Sequence, residues 1–187
     1  ILKLMQRRYT AELYRSRIEL IKKLMPHAGI GVDVIVGFPG ETDQYFQESY
    51  DFIRDMDITY LHVFTYSERP DTKAAIMGNP VKIEKRKERN AMLRILSEKK
   101  RNSFFHSQEG MIVDVLLESG THSGALANTR EGYSENYVRV SLSTDSLPMD
   151  TELVRVRLGN IDGDFVVGKL LEVLSYRKEL SLLPILT

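Results

Sequence analysis

The spacing of apolar residues changes once along this chain, near residue 107, and that change limits the folds that the sequence can adopt. Before it, helix-like and strand-like segments alternate, whereas after it only strand-like segments follow. A chain of 187 residues is long enough to form two small domains, each with its own core. We therefore predict an α/β domain over residues 1–107, an all-β domain over 108–174 and a short tail over 175–187.

The first part of the chain reads helix, strand, helix, strand, helix. The segments are 10–25, 30–38, 43–55, 59–67 and 82–105. Two strands separated by one helix form a parallel pair with a right-handed crossover. The run 30–38 is nearly all apolar, so we expect it to be covered on both faces. Two strands alone leave both sheet edges unpaired, which predicts the closing part of a larger α/β barrel or open sheet, with an exposed edge through which the chain can self-associate.

The second part contains five strand-like runs, separated by turns rich in Gly, Ser, Asn and Asp. They lie at 111–119, 124–130, 136–143, 153–160 and 165–173. Short strands at this spacing are typical of a small sandwich or barrel. The sequence NIDGD favours a tight turn between the last two runs.

Composition excludes several kinds of protein and site. The chain contains no cysteine, so it forms no disulfide, thiol nucleophile or thiolate metal site. No run approaches the roughly 18 apolar residues of a membrane span and no signal peptide opens the chain, so a cytoplasmic protein without membrane contact is expected. The first residue is isoleucine and leads directly into a helical pattern, which suggests a piece of a longer protein.

Positive and negative charges are segregated, although the formal net charge is zero. Residues 82–101 hold nine Lys or Arg against three Glu, and residues 108–173 hold five against eleven Asp or Glu. The acidic β-rich part argues against indiscriminate binding of nucleic acid, so any contact there must come from a local patch. The basic helix is a candidate source of attraction for phosphates beside such a patch.

The sequence IVGFPGET (35–42) ends a predicted strand with two glycines, a proline and one carboxylate. Gly37, Gly40 and Glu41 suit a tight connection into a helix, and this is one interpretation. The other is that a ligand binds there, because parallel α/β folds place ligands at the carboxyl ends of their strands. The segment 62–72 leaves the next strand at the same end. The sequence shows no Ser-His-Asp set, paired-carboxylate spacing or phosphate-binding Gly-x-x-x-x-Gly-Lys loop.

The sequence REGYSENYVRV interleaves aromatic and basic side chains across a turn and a strand. Strand alternation would place Tyr137 and Arg139 on one solvated face, with Val138 and Val140 on the other. An aromatic ring beside a cation suits stacking on a base and contact with a phosphate. The residues predicted to bind RNA are Arg130, Tyr133, Asn136, Tyr137 and Arg139. An ordinary hairpin with cross-strand packing of tyrosines is the alternative.

Taken in order, five stretches of the chain resemble the radical S-adenosylmethionine (SAM) methylthiotransferases. They are LKLMQRRYT, DVIVGFPGET, LHVFTYSERPDTKAA, GYSENYVRV and VRVRL with GDFVVGKLLE, so the resemblance covers about residues 1–173. It implies that the first three stretches close the radical SAM barrel of the family. The last two would belong to its C-terminal TRAM domain, a small OB-like β-barrel that grips tRNA. The branch that methylthiolates threonylcarbamoyladenosine in tRNA is the most similar.

The resemblance also implies cofactors and roles for particular residues. In the family, a 4Fe-4S cluster held by a CxxxCxxC motif cleaves SAM, and a second 4Fe-4S cluster on three further cysteines supplies sulfur. A chain without cysteine is therefore expected to bind no metal, to contain no catalytic residue and to be inactive alone. The residues expected to contact SAM are Arg7, Gly37, Phe38, Pro39, Glu41, Val63 and Phe64.

Two other functions remain open at this point. One is a non-catalytic RNA-binding module with a TRAM-type barrel, and the other is a methylthiotransferase that acts on a ribosomal protein. Cysteines upstream of the chain would distinguish the enzyme from the binding module. Binding of tRNA rather than protein would distinguish the two kinds of enzyme.

Overall fold

The computed structural model describes residues 1–118, 128–148 and 150–176. The chain divides into two compact units, one ending at Phe104 and the other beginning at Phe105. Each unit is described by itself. None of the helices within the described ranges is long and apolar enough to cross a lipid bilayer.

The first unit has the order of helices and strands that the sequence predicts. The elements are α1 (Ala11–Leu24), β1 (Gly31–Val36), α2 (Asp43–Asp55), β2 (Tyr60–Thr65) and α3 (Ile83–Ser107), with a short 3-10 helix at Lys73–Ile76 before α3. The last residues of α3, from Phe105 on, belong to the second unit. Threonines cap the first two helices. At α2, for example, the Thr42 hydroxyl accepts a hydrogen bond from the Tyr45 N–H, which has no partner within the helix.

The strands β1 and β2 form a parallel sheet whose two faces differ. One face carries Val32, Val36 and Leu61, which are buried in the core of this unit. The opposite face carries Ile35 and Phe64, which are paired in register and are both exposed. The expectation that β1 is covered on both faces is therefore wrong for the described residues, because the helices of this unit pack on one side of the sheet.

The two edges of this sheet also differ. At the outer edge of β2, the Ser97 hydroxyl accepts a hydrogen bond from the Leu61 N–H at 2.8 Å and donates to Leu61 O at 3.2 Å. The Asn90 side chain donates to Val63 O at 3.3 Å. Side chains of α3 thus satisfy backbone groups that a further strand would otherwise use. Among the described residues no strand pairs with the other edge of β1.

In the second unit, the described residues form a closed barrel of five strands. They are β3 (Ile112–Leu117), β4 (Thr129–Ser134), β5 (Arg139–Ser143), β6 (Thr151–Asp162) and β7 (Phe165–Tyr176), arranged around the barrel in the order β3, β4, β5, β7, β6. The prediction of a small β-barrel is confirmed. The prediction that it is antiparallel throughout is wrong, because β5 and β7 are parallel. Valines fill the interior, including Val115, Val140, Val154 and Val156, which have no exposed surface.

Several strand boundaries differ from the sequence prediction. The strand predicted at 124–130 is found at Thr129–Ser134, and residues 124–127 lie outside the described ranges. The strand predicted from residue 136 begins at Arg139, because the residues before it form a turn. The last strand extends to Tyr176, and the rest of the predicted tail lies outside the described residues.

The segment leading into the barrel is hydrogen-bonded to it. The Gly110 N–H donates to Leu158 O at 2.8 Å, and the Leu158 N–H donates to Met111 O at 2.9 Å. Gln108 is buried and accepts a hydrogen bond from Asn136 Nδ2 at 3.0 Å. Residues just after α3 are therefore part of the barrel structure.

Candidate functional sites

The turn after β1 is closed by hydrogen bonds among its own residues. Gly37 and Gly40 have φ angles of +81° and +83°, in the left-handed region that glycine adopts without strain. The Gly37 N–H donates a 2.6 Å hydrogen bond to Oε2 of Glu41, and the Glu41 N–H donates to Phe38 O at 3.0 Å. The residues Gly37, Phe38 and Pro39 are buried. We call residues 37–41 the glycine turn.

Arg89 of α3 supports Glu41 from inside this unit. Its Nη1 lies 3.2 Å from Glu41 Oε1 and donates to Glu41 O at 3.1 Å, while its Nη2 donates to Asp43 Oδ1 at 2.8 Å. The Arg89 and Glu41 side chains are only 3% and 7% exposed. Burial raises the pKa of the Glu41 carboxyl above its ordinary value, because desolvation of the carboxylate outweighs the hydrogen bonds from Gly37 and Arg89. The hydrogen bond from Arg89 lowers the pKa of Asp43.

Arg86, one helical turn earlier in α3, joins the glycine turn to the segment that follows β2. Its aliphatic chain fills the space beside Gly37, where an added β-carbon would lie 2.4 Å from Arg86 Cγ. Its Nη1 donates to Tyr66 O at 3.1 Å and its Nη2 to Glu68 Oε1 at 2.6 Å. Its Nε donates to Val81 O at 2.7 Å. One side chain therefore contacts three stretches of the chain.

Neither arginine is among the predicted site residues, because the sequence of 82–105 indicates only a basic helix. The sequence nevertheless contains a pattern that marks these two arginines. Arg86 and Arg89 precede Leu93 and Leu96 with the spacing of a single helical face. Both leucines are buried in the core, and the arginines lie on the same buried stripe. Basic residues in register with core leucines are the pattern that could have revealed them.

A cavity of about 600 Å³ lies along β1 in the first unit. Three of the seven residues predicted to contact SAM line it, namely Arg7, Glu41 and Phe64. Ile35 also lines it, on the same exposed sheet face as Phe64. Arg7 is exposed and follows the turn at residues 2–6, before α1. The lining is thus mostly apolar, with one arginine, Arg7, and the carboxylates of Asp33, Glu41 and Glu48.

The other four predicted residues are Gly37, Phe38, Pro39 and Val63. The first three are buried in the glycine turn, where the Phe38 ring packs edge-on against Tyr66 with centroids 5.3 Å apart. Val63 packs against the apolar core, because neighbouring residues of a strand point to opposite faces. A ligand on the exposed face of the sheet would meet the side chain of Phe64 and not that of Val63.

In the barrel, Tyr133 and Tyr137 form a pair of exposed rings, which we call the tyrosine pair. Their centroids lie 6.3 Å apart with 56° between the ring planes. Tyr137 is 64% exposed, whereas the adjacent Val138 is fully buried, as strand alternation predicts. Tyr137 nevertheless belongs to the turn before β5 and has a φ of +65°, which is uncommon for a residue other than glycine.

Asn136 shapes this turn through contacts inside the barrel. The Ser134 hydroxyl donates to Asn136 Oδ1 at 2.6 Å, and Asn136 Nδ2 donates to Gln108 Oε1 at 3.0 Å. The Ser134 hydroxyl also accepts a hydrogen bond from the Val138 N–H at 2.9 Å. The Asn136 amide is therefore engaged by the protein itself, and its part in binding RNA stays a prediction.

The two arginines of the predicted RNA-binding set also have partners in the barrel. Arg139 Nη2 lies 2.8 Å from Glu131 Oε2, and its guanidinium lies 4.3 Å from the centre of the Phe165 ring. Arg130 donates to Glu118 O at 3.3 Å. With Arg139 ion-paired, this surface offers aromatic stacking more than positive charge.

No protein-family model matches the chain, but it is similar to curated enzymes that modify tRNA. It is 36% identical over 140 residues to the threonylcarbamoyladenosine tRNA methylthiotransferase of Bacillus subtilis, a match that covers 75% of this chain and 31% of that protein. The Aquifex aeolicus protein of the same name is 38% identical over 138 residues, covering 72% and 34%. The tRNA-2-methylthio-N(6)-dimethylallyladenosine synthase of Bacillus subtilis is 34% identical over 182 residues, covering 92% and 34%.

The chain thus spans about a third of the length of the curated relatives that it matches. The 182-residue match runs through both structural units. Two differently named kinds of methylthiotransferase match the same sequence. The chain belongs to the radical SAM methylthiotransferase family.

Proposed function

We propose that this chain is the C-terminal part of a tRNA methylthiotransferase that adds a methylthio group to threonylcarbamoyladenosine next to the anticodon. The observation that carries the proposal is the 36–38% identity with two enzymes named for that reaction. The motifs around the glycine turn and around Tyr133 and Tyr137 point the same way. The complete protein would act on tRNA in the cytoplasm.

Each unit would have a separate task. The first would be the end of a radical SAM barrel, and the second a TRAM domain that holds tRNA. Support for the first comes from the parallel pair β1 and β2, whose carboxyl ends carry the glycine turn and residues 66–68, where parallel α/β folds bind ligands. Support for the second comes from the closed five-strand barrel in the described residues and its exposed tyrosine pair.

The residues along β1 fit an S-adenosyl ligand. The cavity of about 600 Å³ has the size of a small-molecule site. The exposed side chains of Ile35 and Phe64 offer an apolar surface for a flat ring, and the Arg7 guanidinium suits a carboxylate. Both carboxylate oxygens of Glu41 bond within the protein, so Glu41 would shape this site and not touch the ligand. When bound, SAM supplies the radical chemistry of the reaction.

The residues present do not fit a 4Fe-4S cluster. Such clusters are held by cysteine thiolates and the sequence contains no cysteine. Within the described residues, no group of three or more His, Asp or Glu side chains is arranged to hold a metal ion. Both clusters of the complete protein would therefore be held by residues outside this chain, and the chain alone would not turn over SAM.

A second candidate substrate is N(6)-dimethylallyladenosine in tRNA. The 34% identity with a synthase of the corresponding methylthio nucleoside extends over 92% of the chain, which is more of it than either threonylcarbamoyladenosine enzyme matches. The reaction would be the same methylthiolation, and the substituent on the adenine would differ.

Analysis of tRNA from a deletion strain distinguishes these substrates. The gene that encodes this chain is deleted in its native host, and digested tRNA is examined by mass spectrometry. Loss of the 2-methylthio form of threonylcarbamoyladenosine, restored by the wild-type gene, is the expected result. Loss of the methylthio dimethylallyl nucleoside would favour the second candidate. Unchanged levels of both would reject a tRNA methylthiotransferase, leaving the ribosomal protein enzyme or the binding module.

A further inference from the structure

Two buried arginines of α3 hold the loops at the carboxyl ends of β1 and β2. Arg86 and Arg89 are 5% and 3% exposed. A buried guanidinium is costly unless it is paired, and apolar side chains of similar volume often stabilise a core equally well. Arg89 also keeps one buried nitrogen, Nε, without a hydrogen-bond partner among the described residues. The stability of the core alone therefore does not explain why two arginines lie on the buried face of α3.

Arg89 acts on the glycine turn through Glu41. Its guanidinium contacts both Oε1 and the backbone oxygen of Glu41. The other carboxylate oxygen, Oε2, accepts the hydrogen bond from the Gly37 N–H. Through Glu41, the buried Arg89 thus fixes the position of the Gly37 N–H at the end of β1.

Arg86 couples the glycine turn to the second loop. Its aliphatic part lies against Gly37, where there is no room for a β-carbon, and its guanidinium bonds Tyr66 O and the Glu68 carboxylate. The same guanidinium lies 5.4 Å from the centre of the Tyr66 ring. The two loops are thus held by a single side chain in one relative position.

We infer that Arg86 and Arg89 are positioning residues that preform the binding surface for an S-adenosyl ligand at the carboxyl ends of β1 and β2. The inference rests on the proposed function for the identity of the ligand. A preformed surface avoids the entropy cost of ordering two loops when the ligand binds. Neither arginine touches the ligand, because both groups are buried and the Nη atoms of both are bonded to residues of the protein.

The test compares Arg86→Met and Arg89→Met with Arg94→Met in the complete natural protein carrying its clusters. Arg94 lies on the same helix and is exposed, so it serves as a matched control. Hydrogen exchange of the peptide containing residues 37–41 reports the loop, and equilibrium dialysis with SAM reports the site. We expect faster exchange and about 10- to 100-fold weaker binding in both core variants, with neither change in the control.

Three further variants keep the inference testable if the methionine variants do not fold. Asp43→Asn and Glu68→Gln remove the exposed partners of Arg89 and Arg86 and leave the buried stripe intact. Both should weaken SAM binding and speed exchange in the same direction. Arg89→Lys should recover part of the loss, because an ammonium restores the charge but cannot bond Glu41 and Asp43 with the same planar geometry.

Failure of the inference and failure of the proposed function are distinguishable. Folded Arg86→Met and Arg89→Met proteins with wild-type exchange and wild-type SAM affinity would overturn the positioning role. If the wild-type protein binds no SAM, the proposed function is wrong, and exchange of residues 37–41 alone then decides whether the arginines position the loop.

Discussion

Oε2 of Glu41 lies 2.6 Å from the backbone nitrogen of Gly37, four residues earlier in the chain. The carboxylate is turned inward, closes the glycine turn and pairs with Arg89 at its other oxygen. From the sequence, the same carboxylate could serve either a tight connection or a ligand. The observed bonds fit the first role, and because Glu41 also lines the cavity along β1, its contact with a ligand stays a prediction.

Removing Arg89 should cost far more stability than removing the charge of Glu41. Arg89→Met leaves a buried carboxylate without its cation, which typically costs about 3–5 kcal/mol. In the double variant with Glu41→Gln no buried carboxylate is left without a cation, so much of the loss should be recovered. Urea unfolding of the four proteins gives the coupling energy. Additive effects of the two substitutions would contradict the buried ion pair.

The cost of Arg89→Met should also depend on pH. Burial already raises the pKa of Glu41, and loss of the cation raises it further. A carboxyl whose pKa is higher in the folded than in the unfolded protein contributes stability below the unfolded pKa, and this is lost as pH rises through the folded pKa. The variant should therefore be least destabilised in acid. Unfolding free energies measured from about pH 4 to pH 7 test this, relative to an ordinary carboxyl pKa near 4.3.

The order of elements in the first unit could be predicted because each apolar pattern is local. Helical spacing in α1 and the β-branched run of β1 are visible without any knowledge of neighbours. The roles of Arg86 and Arg89 could not be predicted in this way. Their function depends on loops about 20 to 50 residues earlier, and a basic helix reads as solvated until the contacts of its buried face are known.

The shift of β4 has a different physical cause. Gly132 lies inside this strand, whereas in the sequence a glycine shortly before Ser134 and Asn136 reads as part of a turn. A β-carbon at Gly132 would lie 2.3 Å from Leu116 O on the neighbouring strand. The glycine is therefore required by close approach of two backbones and not by a reversal of the chain. Only the pairing of β3 with β4 distinguishes the two cases.

Gly132→Ala should destabilise the barrel. The added methyl group meets a backbone oxygen, which cannot move away without disturbing the β3–β4 pairing. Overpacking of this kind typically costs about 1–3 kcal/mol. Gly78→Ala is the control, because nothing lies within 4 Å of its added β-carbon. Thermal unfolding that is equally unchanged in both variants would contradict the observed strand pairing.

The barrel should fold by itself if the chain begins at residue 105, and less well if it begins at residue 112. The longer form keeps Gln108 with its hydrogen bond to Asn136, and Gly110 with its hydrogen bond to Leu158. The shorter form leaves those partners in β6 and the turn unsatisfied. Urea titrations followed by circular dichroism should give a lower midpoint for the shorter form. Equal midpoints would mean that residues 105–111 do not belong to the barrel domain.

Self-association of the 187-residue chain, if it occurs, should use the exposed side of the sheet. Ile35 and Phe64 form an apolar surface next to the edge of β1 with which no described strand pairs, whereas the edge of β2 is blocked by Asn90 and Ser97. Phe64→Ser should lower the apparent mass at high concentration in sedimentation. Tyr45→Ser, at an exposed aromatic on α2, should not. A chain that stays monomeric at every concentration would reject self-association.

The last prediction concerns Tyr137, which the proposed function places in contact with tRNA. Its ring is 64% exposed and lies 6.3 Å from that of Tyr133, so Tyr137→Ala should leave the melting temperature nearly unchanged. Stacking of an aromatic ring on a base contributes roughly 1–3 kcal/mol, which corresponds to about a 5- to 150-fold loss of affinity for tRNA. Tyr176→Ala, at an exposed tyrosine in β7, is the matched control.

The salt dependence of the same binding separates stacking from charge. Because Arg139 is paired with Glu131, few phosphates should be neutralised by the barrel, and a plot of log affinity against log salt concentration should be shallow for the barrel alone. A steep slope for the whole chain would then report phosphate contacts by the basic residues 82–101.

If Tyr137→Ala unfolds the barrel, the ring is structural and the ordinary hairpin is the better interpretation. Unchanged affinity in a well-folded Tyr137→Ala protein would remove the tyrosine pair from the RNA site.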